Sequence, residues 1–175
     1  MAESDLKTRS WTAITADAQV VPPRSALRMP ESAAYQPPRD ARRSVLVAMS
    51  VSSHHDVAIL RHRLQQVLRE CDRDVVLDVE LVTTELLSNA LEHARPPCGV
   101  TVTGYLTEDT AGRSGIGEVV IEVLDGSRDL VPRLDRSTVN SHRGRGMRLV
   151  RALSSSWGVL QSGRTKTMWA VVHPV

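Results

Sequence analysis

Three side chains of this 175-residue sequence recur at intervals of four: Glu85, Asn89 and His93. In a helix that spacing stacks them on one face, one turn above another. A carboxylate and an amide so placed can serve a hydrated Mg²⁺ and nucleotide phosphates, because Mg²⁺ keeps several waters and needs few protein ligands. The carboxylate can also orient a hydroxyl or water for attack. An ordinary solvent face of an amphipathic helix has the same look. A second candidate is Asp125, in Val123-Leu124-Asp125-Gly126-Ser127, where an apolar run meets a turn. A carboxylate there can accept a hydrogen bond from an exocyclic amine such as that of adenine, although an Asp-Gly pair also serves simply to turn the chain. A third is Gly144-Arg145-Gly146-Met147, directly ahead of the apolar Leu149, Val150 and Leu153. Two glycines opening a helix let backbone N–H groups approach an anion, where the helix dipole favours negative charge. The pattern is neither a Walker loop nor a GxGxxG fingerprint.

The elements that must position these groups follow from periodicity. Residues 44–51 form a short apolar run that reads as a strand. Ser52 or Ser53 is placed to cap a helix whose apolar positions are Val57, Leu60, Leu64, Val67 and Leu68. Cys71-Asp72-Arg73 makes a break. Asp74 is then expected to cap a second helix, running to His93, with Leu77, Leu81, Val82, Leu86 and Ala90 at helical spacing; Pro96-Pro97 ends it. Strands are expected over residues 99–106 and 118–124. Residues 125–143 show no periodicity, which fits a lid or binding loop. A helix over 144–156 and strands over 157–162 and 165–173, joined at Gly163, complete the chain. Strands that cluster in pairs, without strict alternation with helices, predict an α+β two-layer sandwich: a mixed sheet with helices on one face.

Composition narrows the function classes. Hydrophobic residues make up 41% and charged residues 24%, as in ordinary globular proteins, and the aromatic share is 3% with no Phe. Net charge is +2; residues 1–44 hold seven basic and five acidic groups, leaving 15 of each sign for residues 45–175. A neutral domain lacks the broad positive surface that DNA binding requires. Cys71 and Cys98 have no CxxC spacing, so reduced thiols in a cytoplasm are expected rather than a disulfide framework or zinc site. No leader segment and no apolar run of about 20 residues points to export or a membrane. Residues 1–44 carry Pro22, Pro23, Pro30, Pro37 and Pro38, and read as a Pro-rich, poorly ordered arm ahead of one domain, 45–175.

Taken in order, the three motifs resemble a known family. Glu85 to His93 looks like the N-box of the GHKL ATPases. Val123 to Ser127, with Pro132, resembles their first glycine box in the Asp-x-Ser…Pro form of bacterial anti-sigma factor serine-protein kinases. Gly144 to Met147 resembles the second glycine box, and Trp157-Gly158 with Lys166-Thr167-Met168-Trp169-Ala170 is similar to the closing strands. The resemblance covers residues 45–175 and implies ATP and Mg²⁺ as cofactors. It implies Glu85 as general base or polarising carboxylate and Asn89 as the Mg²⁺ ligand. Asp125 would bind the adenine amine, with Thr167 supporting that pocket. His93, Ser127, Gly144, Arg145, Gly146 and Met147 would complete the nucleotide site, and Arg128 and Arg143 lie in the lid. The sequence departs from the usual box at Ser127, and at Asp129, where a last glycine is expected.

The resemblance further implies a protein serine/threonine kinase that phosphorylates a STAS-type antagonist and sequesters a sigma factor. Dimers are common among such proteins, and the oligomeric state stays open. The altered first box leaves room for a second class of function, a non-catalytic protein-binding regulator on the same fold. A third reading, a detached histidine-kinase catalytic domain, would need a separate phosphoacceptor helix, for which His54-His55 is a faint candidate.

Overall fold

The computed structural model describes residues 37, 38, 40–95, 98–108, 112, 114–127 and 145–173. The expectations for residues 1–36, Pro96, Pro97, Arg128, Asp129, Pro132, Arg143 and Gly144 lie outside the described residues.

Strand β1 (Arg42–Val51) starts two residues earlier than expected, because Arg42 and Arg43 continue the ladder opposite Leu106 and Tyr105. Helix α1 (His54–Val67) begins at a capping box. Ser53 Oγ accepts from the Asp56 N–H, and Asp56 Oδ2 accepts from the N–H groups of Ser52 and Ser53 at 2.9 and 3.0 Å. The Ser52 N–H first, then the Ser52 and Ser53 hydroxyls, which also donate to Asp56 Oδ2, hold the Asp56 carboxyl below its usual range. Helix α2 (Arg73–His93) is capped by Asp72, whose Oδ1 accepts from the Asp74 N–H at 2.9 Å. The expected cap, Asp74, is instead an acid in the first turn, where the helix dipole favours it.

Helix α2 also corrects its expected apolar stripe. Leu77 and Leu81 are each 44% exposed, and the buried line runs Val75, Val79, Val82, Leu86 and Ala90. Those steps of four, three, four and four keep to one face, whereas positions 77 and 81 fall on the far side of the helix from Val79.

Strands β2 (Cys98–Glu108) and β3 (Ser114–Asp125) follow, then helix α3 (Arg145–Leu153) and the hairpin of β4 (Ser156–Ser162) and β5 (Thr165–Val172). Gly163 turns that hairpin at φ +56°, a conformation that favours glycine. The five strands lie in the order β1-β2-β3-β5-β4. The α+β two-layer expectation holds, with one correction: the sheet is not mixed, since every pairing among the described residues is antiparallel. Strands β3 and β4 run the same way, as a crossover through α3 requires, but β5 inserts between them and removes the parallel contact.

One core fills the space between helices and sheet. Leu60 and Leu64 of α1, Val79, Val82 and Leu86 of α2, and Val150 of α3 pack on Val102, Val119, Ile121, Val123 and Ala170. Val120, Trp169 and Val171 form a smaller cluster on the opposite face of the sheet, with Tyr105 and Leu160 beside them. Alternation along β3 and β5 therefore puts Val123 and Met168 on the helix side and Glu122 and Trp169 on the other.

Candidate functional site

The C-terminal half of α2 is where the sequence motifs meet. Helix α3 crosses it with Gly146 set against the Glu85 side chain. A Cβ at that position would overlap Glu85 Oε2 and stand 3.3 Å from Glu85 Cδ. The next residue, Met147, is buried at 5% exposure and anchors α3 in the core together with Val150. Its Sδ lies 3.7 Å from Asn89 Nδ2, which donates to it. Glu85 and Asn89, one turn apart on α2, thus both touch the first turn of α3.

The end of α2 is tied to the end of β3. Gly126 N–H donates to Arg95 O at 2.8 Å, and Arg95 N–H donates to Ser127 Oγ at 2.7 Å. Ser127 N–H in turn donates to Asp125 Oδ1 at 2.8 Å. Serine at position 127 therefore has a structural use: its hydroxyl takes a donor from the segment leaving α2, and its amide orients the Asp125 carboxylate. Asp125 is 1% exposed.

The residue opposite Asp125 on β5 is Lys166, not Thr167. Lys166 Nζ stands 3.0 Å from Asp125 Oδ2 and donates to Ser127 O at 3.3 Å, and both side chains are buried. Thr167 pairs with Leu124. A shift of one residue along a strand reverses the face, so Thr167 is not brought to the carboxylate it was expected to support. Lys166 was not singled out from the sequence. The signal that could have found it is the single charged residue of β5, two positions ahead of an apolar run, since a buried Lys requires a partner.

His93 closes α2, with Nε2 3.7 Å from Glu92 Oε2 and a side chain 55% exposed; it is paired with its neighbour, not with the site. Arg145 is the first residue of α3. Cys98 begins β2 near the Asp125–Lys166 pair. Burial pushes its thiol pKa up, the Asp125 charge adds to this, and Lys166 opposes it. Cys71 and Cys98 are both free thiols. Among the described residues no group of three or more His, Cys, Asp and Glu could hold a metal ion. Nor is any described helix long and apolar enough to cross a membrane.

Two carboxylates mark the two ends of this arrangement. A buried, hydrogen-bonded carboxylate closes one side. On the other, the first turn of α3 lies against a second carboxylate, Glu85, in a contact that leaves no room for a Cβ at position 146.

No curated protein matches the chain. Among solved structures, the RsbU and RsbW domains of Rv1364c from Mycobacterium tuberculosis are similar, at 15% identity and a TM-score of 0.46, over 73% of this chain and 32% of that one. The histidine kinase domain of the blue-light activated histidine kinase EL346 from Erythrobacter litoralis is similar at 17% identity and a TM-score of 0.39, over 66% and 61%. The histidine kinase AdeS of Acinetobacter baumannii is similar at 12% identity and a TM-score of 0.36, over 74% and 68%. The chain spans less than two thirds of the length of either of the first two. The model of the histidine kinase-like ATPase domain matches residues 51–171, from the last residue of β1 to the penultimate residue of β5. This chain belongs to the histidine kinase-like ATPase domain family.

Proposed function

We propose that the domain binds Mg-ATP and transfers a phosphoryl group to a Ser or Thr hydroxyl of a small STAS-type antagonist protein, and that this transfer controls its hold on a sigma factor. The observation that carries this reading is the contact of Glu85 with Gly146, which joins the carboxylate of one motif to the glycine of another. Phosphoryl transfer asks a protein mainly for positioning and charge stabilisation, so a site with few reactive side chains is sufficient.

In this reading Glu85 takes the proton of the acceptor hydroxyl as the new O–P bond forms and ADP leaves. Asn89 holds Mg²⁺, which supplies charge neutralisation at the phosphates. Asp125 accepts from the adenine amine, and Ser127 keeps it oriented. The N–H groups at the start of α3, from Arg145 to Met147, face the phosphates, with Gly144 preceding them. His93 and Thr167 stand outside this minimal set. A cytoplasmic protein, monomeric or dimeric, fits these roles.

A second reading has one observation in its favour. Asp125 is already paired with Lys166, which suits a protein-binding regulator that uses nucleotide structurally or not at all.

Calorimetry with Mg-ATP separates the two. Micromolar binding, about −8 kcal/mol, weakened by Asn89→Ala and by Asp125→Ala, is expected. Incubation with a STAS-type antagonist should then yield a phosphoprotein in the wild type and none with Glu85→Gln. Absence of nucleotide binding by the wild type would move the assignment to the second reading.

A further inference from the structure

Lys166 has no role in the site as proposed, yet it is the residue most intimately joined to Asp125. Its ammonium carries three N–H donors. Among the described residues two are used, one on Asp125 Oδ2 at 3.0 Å and one on Ser127 O at 3.3 Å. Asp125 has spent one lone pair of Oδ2 on Lys166 and one of Oδ1 on the Ser127 N–H. Each carboxylate oxygen has a second lone pair. The pair therefore keeps one donor and acceptor capacity side by side, on the helix side of the sheet.

The pair is not easily opened. The two side chains are 4% and 2% exposed. Removing one partner from a buried ion pair leaves an uncompensated charge, which costs more than a neutral hydrogen bond returns. A base that reaches Asp125 consequently does so with Lys166 in place, and meets a donor beside an acceptor instead of a lone carboxylate. An exocyclic amine satisfies only half of that. The edge that satisfies both is an amine next to an unprotonated ring nitrogen, as in the N6 and N1 positions of adenine.

We infer that Lys166 is a base-specificity residue, donating its remaining N–H to the ring nitrogen adjacent to the amine that Asp125 accepts. The inference rests on the ATP-binding reading above, and deepens it by adding a second recognition point. Without Lys166 the site reads the amine alone. With it the site also reads the protonation and identity of the neighbouring ring atom.

The test is calorimetric and needs no catalysis. Wild type and Lys166→Met are titrated with Mg-ATP and with the Mg complex of 1-deaza-ATP, which keeps the amine and replaces N1 by CH. Wild type is expected to favour ATP by about ten-fold, the worth of one hydrogen bond from a charged donor. Lys166→Met is expected to bind ATP more weakly and to lose the discrimination. A structural role alone would weaken both ligands equally and leave the ratio intact, which overturns the inference. So does a Lys166→Met protein that binds ATP more tightly, since the lysine would then be an obstruction. Should that variant fail to fold, the wild-type ratio decides by itself: equal binding of the two nucleotides sinks the inference while the ATP reading stands. No binding of either by the wild type removes both.

Discussion

Gly146 stands on α3 where a side chain would collide with the Glu85 carboxylate. The obstructing atom is the free end of a flexible side chain, so Gly146→Ala displaces Glu85 without breaking the helix crossing. Alanine is the better helix former by about 1 kcal/mol. Gly146→Ala should therefore melt no lower than the wild type, while phosphoryl transfer to the antagonist falls by about ten-fold or more. Thermal melting and a phosphotransfer time course on the same preparation give both numbers. An unaltered rate would mean that the position of Glu85 against α3 has no part in the chemistry.

The link between α2 and β3 makes a different kind of prediction. Ser127→Ala leaves the Arg95 N–H without its acceptor and removes none of the backbone partners of Asp125. A part-buried donor left unpaired costs about 1–3 kcal/mol. The variant should melt lower by roughly 2–12 °C and lose nucleotide affinity only modestly. Ser127→Thr, which keeps the hydroxyl, should recover much of the stability. If the alanine variant melts as the wild type does, water satisfies that amide.

How much of this was legible beforehand depended on range. The Glu85–Asn89 spacing, the Ser53 cap and the helix starting near Gly146 are short-range signals, and local periodicity carries them. The stripe on α2 is ambiguous in the sequence because Val75, Val76, Leu77, Val79, Leu81 and Val82 surround the helix with apolar residues. Spacing alone admits more than one phase there, and packing on the sheet selects one. The sequence does not distinguish Lys166 from Thr167, because the choice between them is a matter of register against β3, a strand 41 positions away at Asp125. The antiparallel sheet is equally non-local, since the insertion of β5 between β3 and β4 leaves no trace in either strand.

Glu122 should make stability depend on pH in an unusual direction. It sits on the sheet face away from the helices, 6% exposed, and its Oε1 has no hydrogen-bond partner. Burial raises its pKa from 4.5 to about 7, partly opposed by the Arg43 charge. The folded state thus holds a proton that the unfolded chain releases above pH 4.5. The contribution is complete below pH 4.5 and is lost as pH rises through about 7. Such a difference amounts to roughly 3 kcal/mol at most. Other carboxyls titrate in the same range, so the quantity to read is the difference between wild type and Glu122→Gln in urea denaturation. Glu122→Gln should be the more stable at pH 8 and about equal at pH 4.5, and a difference that does not change with pH would refute the assignment.

Gly158 supports Trp169 across the β4–β5 hairpin, where the two are register partners. A Cβ on Gly158 would lie 2.7 Å from one ring carbon of Trp169 and 2.8 Å from the indole nitrogen. Unlike the Glu85 carboxylate, this neighbour is a rigid ring, 3% exposed and packed with Val120 and Val171. It cannot swing aside without opening that cluster. Gly158→Ala should destabilise the domain by about 1–3 kcal/mol, the usual cost of overpacking, and shift the tryptophan emission as the ring is lifted toward solvent. The site lies on the other face of the sheet, so Mg-ATP affinity of the folded variant should hold within about two-fold, inside the coupling expected between well-separated positions. A variant that melts normally with unchanged emission would show that β4 moves outward at its free edge to make room for the methyl group, and that the hairpin is softer than its pairing with β3 through β5 implies.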